Sequence, residues 1–366
     1  MSNVTILPSV STAILLVAAV MPSRAGEEPG KVPPPTHTVA GMRCWHDVPY
    51  GPRADLPDEG DGYTGKKPGW TIAEIPWKFN RHRSGQTFDV FAPPDAPAPD
   101  ATVVLFIHGG SWSESMDKDA TPIVIFGPLT ASGAVACTAN YILQTRPQGF
   151  AAPRRNEATF AEMMRDIDAA CEKLKSFVAE LGVTKPRFVV MGESAGGHLA
   201  LLYAYDEDNP GHMGLELKHP MSVDKVVNIV GPTDFTEKAF QESGAFSIFG
   251  IKFYPFKTLM NRLCGLPDSA PMTKTRAAFP KWSPIKLVCP GSAPTAIAYG
   301  AIGGDEKTDG IVPVSQMTSL EAALKAAGVP CAMKKYSGRN HCEITWHGAS
   351  WIVEQALLPV PPEKMQ

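Results

Sequence analysis

Hydrophobic residues in this chain fall into short apolar runs, separated by longer segments in which apolar positions recur with a helical period. Apolar runs of this length between turn-forming residues are typical of strands buried on both faces, as in a parallel sheet. Such runs follow residue 101 at 103–107, 134–138, 188–191, 226–230, 296–299 and 332–336. The segment 87–91 instead alternates polar and apolar residues and ends before Pro93, which predicts a half-exposed antiparallel edge strand.

The clearest helical pattern lies between the second and third of these core runs. Apolar residues recur every three or four positions from Phe160 to Leu181, Thr159 and Glu162 have capping-box spacing, and Gly182 is a stop signal. Weaker patterns predict helices at 317–327 and 344–358. Strands that alternate with helices in this way predict a three-layer α/β fold, with a mostly parallel central sheet and helices on both faces.

The N-terminus carries an uncharged apolar run at 13–21, which has the length of a signal-peptide core and is too short for a stable membrane anchor. Ser23 and Ala25 place small residues before a possible cleavage site, although the preceding residues lack the usual positive charge. We expect residues 1–25 to be a signal peptide and the mature protein to be secreted or periplasmic. The alternative is an apolar tail on a cytosolic protein.

Two segments depart from the alternation of strands and helices. Residues 26–100 are dense in Pro, Gly, Asp and Lys, which predicts a loop-rich N-terminal segment with a few edge strands before a core at 101–366. Within that core, residues 235–282 mix nine aromatic residues with Gly and Pro, which predicts a cap inserted over one edge of the sheet. The alternative is that these aromatic residues only pack a small core of their own.

Composition excludes some classes of partner and site. The chain has 366 residues with 34 Lys and Arg against 37 Asp and Glu and no basic run, so it lacks the positive surface that nucleic-acid binding requires. Its seven cysteines include no C-x-x-C pair, which excludes a zinc ribbon or a thioredoxin-type motif. An odd number of cysteines leaves at least one free thiol.

The strongest chemical motif is Gly-Glu-Ser-Ala-Gly at 192–196, between a predicted strand and a predicted helix. A turn this tight forces its central serine into strained dihedral angles, accepts only small neighbours and projects the hydroxyl from the carboxyl end of the sheet. Ser194 is therefore the candidate nucleophile.

A second motif, His-Gly-Gly-Ser-Trp at 108–112, directly follows the first core strand. Its glycines let backbone N–H groups approach a developing oxyanion, and the predicted donors are the amides of Gly110, Ser111 and Ala195. We expect His108 to hold the loop by hydrogen bonding rather than to act as the base, because it precedes the nucleophile and ends a strand. The remaining loop residues predicted to shape the oxyanion loop or contact substrate are His108, Gly109 and Trp112.

An activated serine also needs an imidazole to accept its proton and an acid to orient that imidazole. His341 follows the last predicted strand and is the candidate base, whereas His347 falls inside the terminal helix. Asp309 and Asp305 are the candidates for the acid. We favour Asp309 because it precedes an ordered Gly-Ile-Val-Pro turn, whereas Asp305 lies on a charged tip.

The chain resembles α/β-hydrolases of the esterase and lipase type, close to bacterial feruloyl-esterase-like and hormone-sensitive-lipase-like hydrolases. The resemblance covers about residues 44–357 and is carried by motifs at 47–51, 108–112, 140–141, 192–200, 309–316 and 338–341. It implies that Ser194 is the nucleophile, Asp309 the acid and His341 the base, with no cofactor and no metal.

The resemblance also implies cleavage of carboxylic esters through an acyl-enzyme. We expect a small-molecule or polysaccharide-linked ester as substrate, with a carbohydrate or aryl group. Short-chain lipophilic esters, or amides and formamides, are the alternatives. We expect no stable membrane anchor, and the oligomeric state stays open.

Two rival functions remain to be weighed. A metal hydrolase is disfavoured because His341 and His347 are six residues apart, which places them on different faces of a helix and does not fit H-E-x-x-H. A non-catalytic binding protein with this fold would be expected to have lost Ser194, His341 or the glycines, and all of them are present.

Overall fold

The computed structural model describes residues 32–39, 41–55, 85–113, 118, 123–144, 158–242, 247–248, 251–252 and 256–359. The predicted signal peptide at 1–25 lies outside the described residues, so export stays a prediction. Among the helices of the described part, none is both long and apolar enough to cross a membrane. All seven cysteines fall within the described ranges, and none of them forms a disulfide bond there.

A single large sheet forms the centre of the molecule. The strands are β1 (His37–Val39), β2 (Met42–Pro49), β3 (Thr87–Ala92), β4 (Thr102–Ile107), β5 (Val135–Ala139), β6 (Arg187–Glu193), β7 (Lys225–Ile229), β8 (Ser247–Ile248), β9 (Ile251–Lys252), β10 (Thr295–Ala301) and β11 (Cys331–Ser337). Nine of them form one sheet in the order β1-β2-β3-β5-β4-β6-β7-β10-β11, and β8 pairs with β9 in a separate hairpin. The strands from β5 to β11 in that order run parallel, whereas β1, β2 and β3 are antiparallel additions.

Helices cover both faces of this sheet. They are α1 (Ile123–Ala131), α2 (Phe160–Glu180), α3 (Ala195–Asp206), α4 (Lys238–Glu242), α5 (Phe256–Leu263), α6 (Met272–Ala278), α7 (Val314–Ala326), α8 (Ile344–His347) and α9 (Ala349–Leu357). Helix α1 connects β4 to β5, and α2 connects β5 to β6 on the other side of β4, so the two connections cross the sheet in opposite directions. Right-handed crossovers therefore place these two helices on opposite faces. Helix α9 packs against α1, and α3 packs against α2. The predicted three-layer α/β architecture is confirmed.

The longest helix matches its prediction closely. At the start of α2 the Glu162 amide donates to the Thr159 hydroxyl (3.3 Å), and the Thr159 amide donates to the Glu162 carboxylate (2.7 Å). Gly182 follows the helix with a φ of +102°, a left-handed conformation that glycine adopts without strain.

The prediction of an exposed edge strand at 87–91 is wrong, because β3 lies between β2 and β5 with all six of its residues buried. Its polar residue Asp89 does not face water: it lies 2.8 Å from the buried ammonium of Lys118 and 3.0 Å from His46. Burial would raise the pKa of Asp89, but Lys118 and His46 lower it to about 2. The polar residue in the alternating pattern at 87–91 therefore belongs to a buried cluster of charged side chains and does not mark a solvent-exposed face.

Two other predictions are corrected near the C-terminus. The strand predicted at 332–336 to be buried on both faces is β11, which forms the edge of the sheet and exposes Lys334 and Lys335. The single helix predicted at 344–358 is interrupted at Gly348, which separates α8 from α9.

The segment between β7 and β10 contains α4, the β8–β9 hairpin, α5 and α6, and so forms an insertion into the core. Four aromatic side chains of this insertion are buried, and they pack against one another and against rings of the main body. They are Phe235, Phe240, Phe279 and Trp282. Part of the predicted cap at 235–282 lies outside the described residues, and that it covers the candidate site stays a prediction.

Candidate active site

Ser194 occupies the turn between β6 and α3, with φ of 54° and ψ of −119°. This combination lies outside the ordinary allowed regions for a residue with a side chain and costs on the order of 1–3 kcal/mol. Backbone hydrogen bonds hold the turn: the Ser194 amide donates to the carbonyl of Ile229 (2.8 Å), and the Ser194 carbonyl accepts from the amide of His198 (3.1 Å). The predicted strained turn is confirmed.

A continuous hydrogen-bonded chain leads from Ser194 to Asp309. Nε2 of His341 lies 2.9 Å from the Ser194 hydroxyl oxygen, and Nδ1 lies 2.7 Å from Oδ2 of Asp309. Because a carboxylate only accepts hydrogen bonds, Nδ1 carries the proton and Nε2 is free to accept from the serine hydroxyl. All three residues follow the carboxyl ends of parallel strands, namely β6, β10 and β11, which is why they meet.

The carboxylate of Asp309 is fixed from its other side. Its Oδ1 accepts hydrogen bonds from the amides of Ile311 (2.8 Å) and Val312 (2.6 Å), and the residue is buried. Asp305 is exposed and forms an ion pair with Lys307 (3.0 Å). The structure therefore brings Asp309 to His341 and leaves Asp305 at the surface.

His341 begins a short 3-10 turn with a capping box of its own. The Asn340 side chain accepts from the Cys342 amide (3.0 Å), and the Glu343 carboxylate accepts from the Asn340 amide (2.8 Å). The His341 amide also donates to the Asp309 carbonyl (2.8 Å). His347 is exposed on α8, away from this arrangement, as the sequence analysis expects.

Two opposing effects set the protonation of His341. Burial by itself lowers the pKa of the imidazole, but the charge of Asp309, its hydrogen bond and the charge of Glu193 together raise the pKa above its ordinary value. Glu193 immediately precedes the serine and is buried, and burial raises the pKa of its own carboxyl.

The loop at 108–112 adopts an unusual backbone. Gly110, Ser111 and Trp112 have consecutive positive φ values of 105°, 57° and 56°. A Cβ on Gly196 would lie 2.0 Å from the carbonyl oxygen of Ile107, so the root of this loop touches the first turn of α3.

The strand end from which the loop of Gly110 and Ser111 departs thus lies against the turn that carries Ser194. Ala195 is the first residue of α3, and its amide has no acceptor within the helix. That the amides of Gly110, Ser111 and Ala195 bind an oxyanion stays a prediction.

The two large side chains of the loop are both buried. His108 stacks on Tyr141, with ring centroids 4.5 Å apart, and its Nδ1 lies 2.8 Å from the carbonyl oxygen of Gly109. Trp112 packs among other aromatic rings, and its indole N–H donates to Nδ1 of His198 (3.2 Å). Their side chains therefore shape the loop from within, and contact of His108, Gly109 or Trp112 with substrate stays a prediction.

Sequence reasoning missed two residues beside this site, Glu193 and His198. Glu193 occupies a variable position of the motif at 192–196, which a G-x-S-x-G pattern leaves unspecified, and His198 lies two residues beyond the motif. The sequence did carry one signal for them. An acidic residue and a histidine are unusual among the small and apolar residues of a buried strand and a buried helix.

A comparison with the curated proteins finds Esterase LipC of Mycobacterium tuberculosis (strain ATCC 25618 / H37Rv), which is 25% identical over 242 residues covering 66% of this chain and 52% of that protein. The chain thus spans about half the length of the curated relative that it matches.

Solved structures show the same fold at low sequence identity. A truncated carbohydrate esterase from gut microbiota has a TM-score of 0.55 at 17% identity and covers 89% of this chain and 100% of its own. An inhibited Esterase B from Lactobacillus rhamnosis has a TM-score of 0.59 at 15% identity and covers 88% of this chain and 87% of its own. The architecture is the α/β-hydrolase fold.

The BD-FAE family model matches residues 88–324. That range includes the loop at 108–112, Ser194 and Asp309 and ends before His341, whose place in the site therefore rests on its hydrogen bonds alone. Since the match covers more than half of the chain, the protein belongs to the BD-FAE family.

Proposed function

We propose that this protein hydrolyses carboxylic esters, with Ser194 as nucleophile, His341 as general base and acid, and Asp309 as the group that orients His341. The observation that carries the proposal is the unbroken chain Ser194–His341–Asp309 behind a serine held in a strained turn. Family membership and the esterases among the similar proteins support ester hydrolysis.

In the first half of the reaction, the Ser194 hydroxyl oxygen attacks the ester carbonyl carbon while Nε2 of His341 takes its proton. The imidazolium so formed is stabilised by Asp309, whose second oxygen is held by two backbone amides. The carbonyl oxygen becomes an oxyanion, which the amides of Gly110, Ser111 and Ala195 stabilise. Collapse of this intermediate breaks the bond to the alcohol oxygen, and His341 returns the proton to the leaving alcohol.

In the second half, water replaces the alcohol. His341 takes one proton from the water, whose oxygen attacks the acyl carbon, and a second oxyanion forms in the same place. When it collapses, the proton returns to Ser194 and the acid is released, so that the free enzyme is regenerated.

For the substrate, we favour an ester whose acyl or alcohol part is a carbohydrate or an aryl group. The support comes from the resemblance to feruloyl-type esterases and from a carbohydrate esterase among the similar folds. Short-chain lipophilic esters are the competing class, and amides or formamides a further one.

One panel tests activity and substrate class together. Wild type and Ser194→Ala are assayed on acetylated xylan, methyl ferulate and p-nitrophenyl esters of increasing acyl length. We expect wild-type turnover on p-nitrophenyl acetate, and a loss of several orders of magnitude in kcat in the variant, because no acyl-enzyme can form. An unchanged circular dichroism spectrum is the control for folding.

The pattern across the panel decides the substrate. Higher kcat/KM on acetylated xylan or methyl ferulate than on the longer p-nitrophenyl esters supports the carbohydrate or aryl class, and the reverse order supports lipophilic esters. If wild type is inactive on every ester, or if Ser194→Ala is as active as wild type, the proposed mechanism is wrong.

The two neighbouring aspartates provide a matched pair of variants. Asp309→Asn should lower kcat by a factor on the order of 10³ to 10⁴, because an amide in place of the carboxylate favours the wrong tautomer of His341. Asp305→Asn makes the same chemical change at an exposed position and should cost less than about tenfold. Steady-state kinetics on p-nitrophenyl acetate measures both, and the reverse ranking would assign the acid to Asp305.

The charge of Glu193 should be visible in the pH profile. His341 acts as a base only when neutral, so activity falls as the pH drops through its raised pKa, and the acidic limb of kcat/KM lies above the ordinary histidine value. Glu193→Gln removes a negative charge that favours the imidazolium, so the limb should move to lower pH by up to about one unit. Glu172→Gln, at an exposed carboxylate on α2, is the control. An unmoved limb in Glu193→Gln would contradict the coupling.

A further inference from the structure

His198 lies on α3, four residues after the candidate nucleophile, and is completely buried. Three aromatic rings surround its imidazole: Phe235 at 4.6 Å, Phe160 at 5.1 Å and Trp112 at 5.3 Å between ring centroids. A histidine in such surroundings is costly unless both ring nitrogens find partners, because each unsatisfied buried polar atom destabilises the fold.

Both nitrogens of His198 have partners, and the partners determine the tautomer. The indole N–H of Trp112 can only donate, so Nδ1 of His198 accepts this hydrogen bond (3.2 Å). Nε2 therefore carries the proton and donates to the carbonyl of Trp282 (2.8 Å). Burial lowers the pKa of His198 to about 3, so the ring stays neutral and Nδ1 stays an acceptor at neutral pH.

These two hydrogen bonds connect three separate segments. Trp112 belongs to the loop at 108–112, Trp282 lies in the insertion between β7 and β10, and His198 itself belongs to the helix that begins directly after Ser194. The imidazole therefore bonds the loop to the insertion through the helix that carries the reactive turn.

The loop needs such an anchor because its backbone is strained. Ser111 and Trp112 both have positive φ values, which cost residues with side chains free energy unless surrounding contacts hold them. Backbone hydrogen bonds supply part of these contacts: the Gly110 carbonyl accepts from the Ser113 amide (3.1 Å) and the Trp112 carbonyl from the Gln144 amide (2.9 Å). The Trp112 indole supplies the rest, since its ring packs edge-on against Phe160 and Phe235 and its N–H bonds to His198. The adjacent peptides include the predicted oxyanion donors, Gly110 and Ser111.

We infer that His198 is a positioning residue for the oxyanion loop: its Nδ1 fixes the Trp112 indole, and the fixed indole holds the peptides of Gly110 and Ser111 in the orientation that receives the oxyanion. The inference rests on the proposed function, which it extends to the residue that orients the oxyanion donors. The Trp282 bond is a separate contact that steadies the insertion.

Two amide variants separate the two hydrogen bonds. In His198→Asn the side-chain oxygen can take the place of Nδ1 and still accept from Trp112, whereas the contact with Trp282 is lost. In His198→Gln the longer side chain reaches the place of Nε2 instead, so the Trp282 contact can be kept and the Trp112 contact is lost. Both variants lose the aromatic ring, so each controls for the packing change in the other.

The expected result is a difference in kcat between these variants. His198→Gln should lower kcat on p-nitrophenyl acetate by about 10- to 100-fold with little change in KM, because the donors are misplaced in the transition state. His198→Asn should stay within about threefold of wild type in kcat. Titration with a fluorophosphonate counts the reactive sites, so that kcat refers only to folded protein. Binding of a trifluoromethyl ketone, which forms a tetrahedral adduct, should weaken in parallel with kcat.

Trp112→Phe tests the same hydrogen bond from the other side, since it removes the indole donor and keeps a smaller aromatic ring in its place. Trp112→Phe should lower kcat about as much as His198→Gln. The double variant that carries both changes should be no slower than either single variant, because all three variants lose the same hydrogen bond between Trp112 and His198.

Equal kcat per reactive site in the Asn and Gln variants, or multiplicative losses in the double variant, would overturn the inference and leave His198 a packing residue. Failure of the proposed function looks different, because wild type itself would then show no turnover that depends on Ser194.

Discussion

The close packing of the turn that carries Ser194 is the constraint on which the rest of the site depends. A Cβ on Gly192 would lie 2.2 Å from the carbonyl oxygen of Gly196, and one on Gly197 would lie 2.3 Å from the side-chain oxygen of Asn228. Glycine is needed at these positions because the opposing atoms belong to the backbone or to a buried, hydrogen-bonded side chain. Strand β6, helix α3 and the ends of the neighbouring strands therefore form one unit, which holds the serine in a conformation that an isolated chain would not adopt.

The parallel sheet places the other reactive groups relative to that turn. Parallel strands have their carboxyl ends at one edge, so loops distant in sequence converge there, and 147 residues separate the serine from the histidine that contacts it. The fold also determines where the two carboxylates next to His341 lie. Asp309 is oriented by two amides of its own turn, and Glu193 is buried beside the serine because it ends a buried strand.

Much of this arrangement could be predicted from sequence because its signals are local. The glycines around Ser194, the capping box at Thr159 and the Gly-Ile-Val-Pro turn after Asp309 each specify a backbone conformation within a few residues. Asp89 was misleading because its partners, Lys118 and His46, are distant in sequence and turn a polar position of a central strand into a satisfied buried charge.

The tautomer of His198 could not be predicted from the sequence either, since it depends on two tryptophans that lie 86 and 84 residues away along the chain. Periodicity describes which face of an element is apolar, but not which polar groups meet inside the core. Such pairings are determined by the folded structure as a whole.

The central claim, that Ser194 is a nucleophile activated by this packing, is tested most directly by locating a covalent adduct. Trypsin should release residues 188–218 as one peptide, and Ser194 is the only serine in it. After treatment of the native protein with paraoxon, mass spectrometry should find one diethylphosphoryl group per chain, on Ser194, and none after prior unfolding in urea. An adduct on another peptide, or no adduct on the native protein, would contradict the account.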